Sequence, residues 1–343
     1  MEISSGYNAC TDEAISWILQ VNQRIGNARS GGDIYMIAVL GPKGTFCDKS
    51  YEEYNKKYEA VHGESLEPLY CPTIDDVFEQ LCTNEACEYA VVPVENMLDG
   101  YVQRTLDLLL EKDVYIVDEN QVAVQFSLLA NAEKIEDIRK IYVQFKTNGQ
   151  CRQFLHTLHD AEIVTTNSNM ESYYKIQDEP GAAAIVPHHV IQADDARMLA
   201  EDVTDAKGNH TRFIILRKGV LDVENPDLEK QLEDLVSNEK GLDADADGTE
   251  KAAELTREKV RIPVYIMPAT DRPGILFDIL RRFYDKRINL ISIMSRPTKQ
   301  SMGTYNFYIE IDCLTERLEV VVETLRQIQV YNDIKILGAY KEH

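Results

Sequence analysis

Three short strings in this chain set polar groups where a fold could gather them. Gly44-Thr45 lies within GPKGTF, directly after the apolar run Tyr35–Leu40. A glycine in such a turn lets backbone N–H groups approach an anion closely. Glu95-Asn96 follows the apolar run Tyr89–Val94, with Gly100 just beyond. Open α/β sheets bind ligands at the carboxyl ends of their strands, so this amide and carboxylate are candidates to hold a small polar molecule. Asn209-His-Thr-Arg-Phe213 leads into the last apolar run of the same half. Thr211 offers an uncharged hydroxyl at a strand end, and the neighbouring guanidinium of Arg212 is a group suited to paired contacts.

Other chemistry-bearing patterns carry less. Asp243-x-Asp245-x-Asp247-Gly248 followed by Glu254 fits a calcium-loop spacing. Glu250, however, stands where such a loop packs an apolar residue, and Gly241 would interrupt the incoming helix, so a solvated acidic segment is the preferred reading. His156 and His159, and the pair His188-His189, have no acidic or cysteine partner nearby in sequence, and no metal is expected. The seven cysteines are an odd number without a CxxC pair, Cys82 and Cys87 being nearest, which reads as reduced thiols.

The elements that must position these residues alternate. Thr73–Leu81 reads as a Thr-capped helix, Tyr89–Val94 as a buried strand and Val102–Leu110 as a helix. Val114–Val117, Val122–Leu129 and Ile141–Val143 read as strands, Gln150–Leu158 as a helix, and Ala182–Val186 and Phe213–Leu216 as strands. This order predicts an α/β unit with mixed sheets over residues 34–218. Residues 1–33 read as a helical appendage, capped by Asp12, with Ile15, Ile18, Leu19 and Ile25 on one face and Trp17 as a packing anchor. Residues 222–259 hold 13 acidic and 5 basic side chains, so 219–259 is expected to be a solvated helical linker. Beyond it come a strand (260–267), a helix (275–284), strands (289–295 and 305–312), a helix (316–328) and a strand (334–338). That βαββαβ order predicts a ferredoxin-like domain over 260–343.

With 58 acidic against 36 basic residues the net charge is −22, which disfavours nucleic acid or an anionic membrane as partner. No run of 18 apolar residues suggests a membrane span. The first residues lack the basic and apolar regions of a secretion signal. A cytoplasmic location is expected.

In order along the chain, Gly41-Pro-Lys-Gly-Thr-Phe46, Val92-Pro-Val-Glu-Asn96 with Gly100 and Val102, Gln150-Cys151, Asn209-His-Thr-Arg-Phe213, Gly274-Ile-Leu-Phe277, Asn289-Leu290 and Ser295-Arg-Pro297 together resemble prephenate dehydratase followed by its regulatory ACT domain, as a divergent member. The resemblance spans roughly residues 35–341. It implies a two-lobed, periplasmic-binding-protein-like catalytic region and a cofactor-free conversion of prephenate to phenylpyruvate, with loss of water and carbon dioxide, in L-phenylalanine biosynthesis. It also implies L-phenylalanine as effector, and a homodimer or homotetramer. By the same resemblance Thr211 is the catalytic donor. Gly44, Thr45, Glu95, Asn96, Gly100, Arg212 and Phe213 would bind substrate, Phe213 walling its ring. Gly274, Ile275, Leu276, Phe277, Asn289, Ser295, Arg296 and Pro297 would bind the effector. Residues 1–33 are too few for the chorismate mutase domain some members carry, so no mutase activity is expected.

The chain also departs from the family pattern. Met97 stands where a hydroxyl residue usually follows Glu-Asn. Gln144 replaces the histidine of a Ser-His-Pro-Gln stretch, and Cys47 a serine. A Leu-Tyr-Gly-Leu stretch is missing around 193–199, and Met294 replaces a glutamate. Two other readings therefore stay open: a prephenate decarboxylase that leaves the ring non-aromatic, and a non-catalytic protein that senses a ligand in the cleft.

Overall fold

The computed structural model describes residues 35–192, 197–225, 228–238, 259–270, 272–299 and 301–341. The first lobe is built on strands β1 (Met36–Leu40), β2 (Glu67–Cys71), β3 (Cys87–Asn96), β4 (Gly100–Tyr101), β5 (Val114–Ala123) and β11 (His210–Lys218). Their order is β2-β1-β3-β11-β5, with β4 pairing β3. Ile37, Ala38 and Val39 have no exposure, as a strand covered on both faces requires. One cover is helix α1 (Phe46–His62). Its Tyr51, Tyr54 and Tyr58 recur at helical spacing and pack with Ile37, Val39, Phe213 and Ile215. The opposite face takes α2 (Ile74–Thr83), which starts on a Thr73–Asp76 capping box, and α3 (Gln103–Glu111).

The second lobe orders its strands β10-β6-β9-β7-β8, namely β6 (Phe126–Ala130), β7 (Lys140–Gln144), β8 (Glu162–Thr166), β9 (Ala182–Pro187) and β10 (Arg197–Ala200). Its helices are α4 (Phe145–Gln150), α5 (Arg152–Leu155) and α6 (Asn169–Lys175). The chain crosses between lobes twice, from β5 to β6 and from β10 back to β11. The two crossings are tied where Val124 N donates to Asn209 O at 2.8 Å. The expected single strand over 122–129 is therefore two strands in different sheets. Of the helix expected over 150–158 only α5 forms, and the preceding α4 ends at Gln150, with fully buried Cys151 between them.

The third unit follows the predicted order: β12 (Lys259–Pro268), α8 (Ile275–Asp285), β13 (Asn289–Pro297), β14 (Tyr305–Leu314), α9 (Leu318–Gln329) and β15 (Asn332–Ile336), with β16 (Tyr340–Lys341) added. Its sheet, β13-β14-β12-β15, leans on the first lobe. Tyr265, Tyr308, Leu337 and Tyr340 share a core with Leu106, Leu109 and Ile116, and Tyr265 Oη donates to Leu106 O at 2.8 Å. The approach is closest at Gly338, where a Cβ would stand 2.2 Å from Ile116 O, so only glycine fits.

The segment expected to be a solvated linker is partly docked. Helix α7 (Leu228–Asn238) buries Leu228 and Leu232 in the core of the third unit, beside Leu221 and Val223. The two leucines sit one turn apart, which gives an otherwise charged helix an apolar stripe. The Asp243–Glu254 pattern, Trp17 and the appendage 1–33 lie outside the described residues. Among those described, no helix is long and apolar enough to cross a membrane.

Candidate active site at the interlobe edge

Parallel strands β1 and β3 end at one edge of the first lobe, and β11, antiparallel to β3, begins there. Thr211 pairs in register with Asn96. Asn96 Nδ2 donates to Thr211 Oγ1 at 2.9 Å and to Asn209 Oδ1 at 3.1 Å. Its Oδ1 accepts from Leu98 N at 3.0 Å and Asp99 N at 3.1 Å. Two backbone donors thus fix which way the amide faces. Gly100, at φ +75°, closes the hairpin that holds Asn96. Once Asn96 occupies a lone pair of Thr211 Oγ1, the hydroxyl proton remains for an incoming group, and no described residue accepts it.

At the same edge, Thr45 is the N-cap of α1. Asp48 N donates to Thr45 Oγ1 at 3.3 Å, and Thr45 Oγ1 donates to Leu40 O at 3.3 Å. Gly44 N, expected to meet substrate, instead donates to Asp48 Oδ2 at 2.7 Å. Asp48 is buried and also accepts from Tyr70 Oη; burial and that bond push the Tyr70 hydroxyl far up. Cys47 is buried, and desolvation, followed by nearby Asp48, pushes its thiol up to about 12, so it stays protonated.

The second lobe closes on this turn. A Cβ at Gly44, whose φ is +85°, would stand 2.6 Å from Met170 Sδ of α6. The Phe46 ring is edge-on to Phe126 at 5.5 Å and tilted on His189 at 5.2 Å. His189 sits in this junction. Burial, then Lys49, hold its imidazole below the ordinary value. Gln144 accepts from Lys146 N at 2.8 Å and Thr147 N at 3.2 Å and so caps α4.

Three expected substrate contacts are placed elsewhere. Strand alternation turns Arg212 to the face opposite Thr211. There its Nη2 donates to Glu95 Oε2 at 2.9 Å and Glu310 Oε1 at 2.7 Å, and its Nη1 to Glu119 Oε2 at 3.1 Å. Glu95 is correspondingly an ion-pair partner of Arg212 through its Oε2. Phe213 is only 1% exposed and packs with α1 beneath the edge, so it supports the site without walling it. Met97 carries a side chain 64% exposed, while its N–H donates to His210 O at 3.0 Å. Sequence reasoning passed over Asn209, Met170 and His189. Asn209 stood inside a quoted string, whereas the other two gave no local signal.

Of the expected effector residues, Gly274 precedes α8 at φ +86°. Ile275 lines a concavity of about 170 Å³ with Pro268, Ala269, Thr298, Thr304, Tyr305 and Phe307. Leu276 packs partly on the core, and Phe277 is 65% exposed. Ser295 and Pro297 pair with Phe307 and Tyr305 of that lining. Arg296 is committed elsewhere, its Nε and Nη2 donating to Asp107 Oδ1 of α3 at 2.9 and 2.8 Å. Asn289 begins β13, roughly 27 Å of strand away from Pro297, so a single copy does not unite these residues.

The profile of prephenate dehydratase matches residues 37–220, and that of the ACT domain residues 269–329. A bifunctional chorismate mutase/prephenate dehydratase of Aquifex aeolicus is 29% identical over 307 residues, covering 89% of this chain and 73% of the relative. A prephenate dehydratase of Methanocaldococcus jannaschii is 27% identical, covering 87% and 95%. The solved prephenate dehydratase of Arthrobacter aurescens, described in complex with L-Phe, superposes with a TM-score of 0.66 at 26% identity over 90% of each chain. With these matches laid over an interlobe edge that presents Thr211 and Asn96, the chain belongs to the prephenate dehydratase family and carries that family's fold with an ACT domain at its C-terminal end.

Proposed function

We propose that this protein converts prephenate to phenylpyruvate, carbon dioxide and water, with Thr211 as the hydrogen-bond donor to the departing hydroxyl. The observation that carries this reading is the Asn96–Thr211 pair, whose geometry leaves the threonine proton directed away from its amide partner. When the ring carboxylate leaves as carbon dioxide, its bonding pair enters the ring. The opposite C–O bond breaks, the ring becomes aromatic, and the departing oxygen, held by the Thr211 O–H hydrogen bond, takes the proton that completes water from solvent, so Thr211 keeps its own. Asn96 Nδ2 holds Thr211 Oγ1 in place for that bond. With Arg212 turned away, anchoring of a substrate carboxylate falls to the remaining amide groups of the first turn of α1 and the positive end of its dipole. Replacing Thr211 with Ala should lower kcat on prephenate by at least about a hundredfold, an effect within the range of lost acid catalysis. Turnover within twofold of the parent would remove Thr211 from this role.

We also infer that L-phenylalanine is the effector and meets the ACT domain near Gly274 and Ile275. The concavity at Ile275 supports this, together with the L-Phe complex described for the Arthrobacter relative. A homodimer or homotetramer joined through the ACT domain fits Ile291 and Ile293, both more than 40% exposed on edge strand β13. A cytoplasmic setting fits the six described cysteines, all unpaired.

A further inference from the structure

We propose that Glu310, on strand β14 of the ACT sheet, is a positioning residue for Thr211, acting through Arg212, and that this contact transmits the state of the ACT domain to the cleft. The inference rests on the dehydratase reading above. It starts from the β3–β11 ladder, where Asn96 pairs with Thr211 and Glu95 with Arg212. One pair serves the cleft edge, and the next serves the opposite face. Against β3 the register slips between Arg212 and Phe213, Val94 being the extra residue, whereas against β5 it runs unbroken from His210 to Ile215. Irregularities of this kind re-aim side chains beside active sites, and on the slipped side β11 has a second support besides its ladder.

The support is a buried charge cluster shared by two domains. Arg212 Nη2 lies 2.7 Å from Glu310 Oε1, 2.9 Å from Glu95 Oε2 and 3.2 Å from Tyr101 Oη. Its Nη1 lies 3.1 Å from Glu119 Oε2, and Glu119 also accepts from Arg261 Nη1 of the ACT sheet at 2.7 and 2.8 Å. The Glu310 and Glu119 side chains are 2% and 0% exposed, and that of Arg212 is 8% exposed. Tyr308 Oη donates to the same Glu310 oxygen at 2.5 Å. The cluster sets three carboxylates, Glu95, Glu119 and Glu310, against Arg212 and Arg261, so when Glu310 moves Arg212 redistributes its contacts between Glu95 and Glu119 and its guanidinium shifts with them. Glu310 pairs with Ser292 of β13, three residues before Ser295. A shift of β13 on effector binding therefore reaches Glu310 through one ladder step and Thr211 through one side chain.

The experiment compares the full-length parent with Glu310→Gln, Glu310→Asp and the milder Tyr308→Phe. It reads prephenate kinetics with and without L-phenylalanine, and hydrogen exchange of the peptide spanning 209–213. In Glu310→Gln, kcat is expected to fall about tenfold or more while KM stays within about threefold, as for a group acting in the transition state only. Glu310→Asp should restore part of kcat. Tyr308→Phe, which keeps the core volume, should show the same split in smaller degree. Exchange in 209–213 should respond to L-phenylalanine in the parent, and in Glu310→Gln it should be faster and no longer respond. If Glu310→Gln fails to fold, Tyr308→Phe alone decides between the same two outcomes. Parent-like kcat together with parent-like exchange in the folded variants overturns the proposal. A parent that makes no phenylpyruvate overturns the dehydratase reading instead, and the exchange data still judge the Glu310 contact.

Discussion

Thr211 and Arg212 are consecutive on β11, yet they serve opposite faces of one sheet. Thr211 Oγ1 stands 2.9 Å from Asn96 Nδ2 at the cleft edge, while Arg212 Nη2 stands 2.7 Å from Glu310 of the ACT sheet. Strand alternation turns the Arg212 guanidinium away from the edge that presents Thr211 and into contact with the ACT sheet.

Asn96→Ala should lower kcat on prephenate by about ten- to a hundredfold. That is the effect of one lost hydrogen bond of about 1–3 kcal/mol made to a reacting group. Because Asn96 holds Thr211 in place, KM should change far less than kcat. Steady-state kinetics on a folded variant checks this, and a purely KM-borne loss would assign Asn96 to binding instead.

Gly44→Ala carries two penalties, a left-handed φ of +85° and a clash with Met170 Sδ. The first costs about 1–2 kcal/mol whatever the space around it. Pairing Gly44→Ala with Met170→Ala should relieve the second alone, so the double variant should be more active than the sum of the single effects predicts. A strictly additive double variant would mean that the lobes do not meet at this turn during turnover.

The buried imidazole of His189 predicts a pH dependence of stability. Its folded value lies below the ordinary 6.5, so below pH 6.5 the unfolded chain binds the proton that the folded chain resists. Stability is therefore full above 6.5 and declines as pH falls through that value. Replacing His189 with Gln should flatten the decline between pH 7.5 and 5.5, measured by denaturant unfolding. An unchanged slope would place the acid sensitivity elsewhere.

Much of the architecture follows from local pattern. The βαββαβ order after residue 260 came through because each element has a clean apolar face, as in α8 and α9. Helix α1 was missed because its buried face is made of tyrosines and Cys47, which are weak apolar signals among charges. Strand β2, EPLYC, begins on a glutamate and a proline, and β8 is largely exposed, so neither reads as a core strand. The break between β5 and β6 is a change of sheet, invisible to periodicity because both flanks are apolar. At the site, strand ends and the family resemblance pointed to Asn96 and Thr211 but did not say which way Arg212 and Phe213 face. Phe213 shares its face with Ile215 and the α1 core, whereas Arg212 finds carboxylates contributed by β3, β5 and β14. Such partners lie about a hundred residues away, and no local rule reports them.

The central claim is tested most directly by incubating the full-length protein with prephenate and identifying the product. The account predicts phenylpyruvate with one equivalent of carbon dioxide, formed at a rate that Thr211→Ala lowers by at least about a hundredfold. A dihydro product that keeps its hydroxyl, or prephenate recovered unchanged, would contradict it.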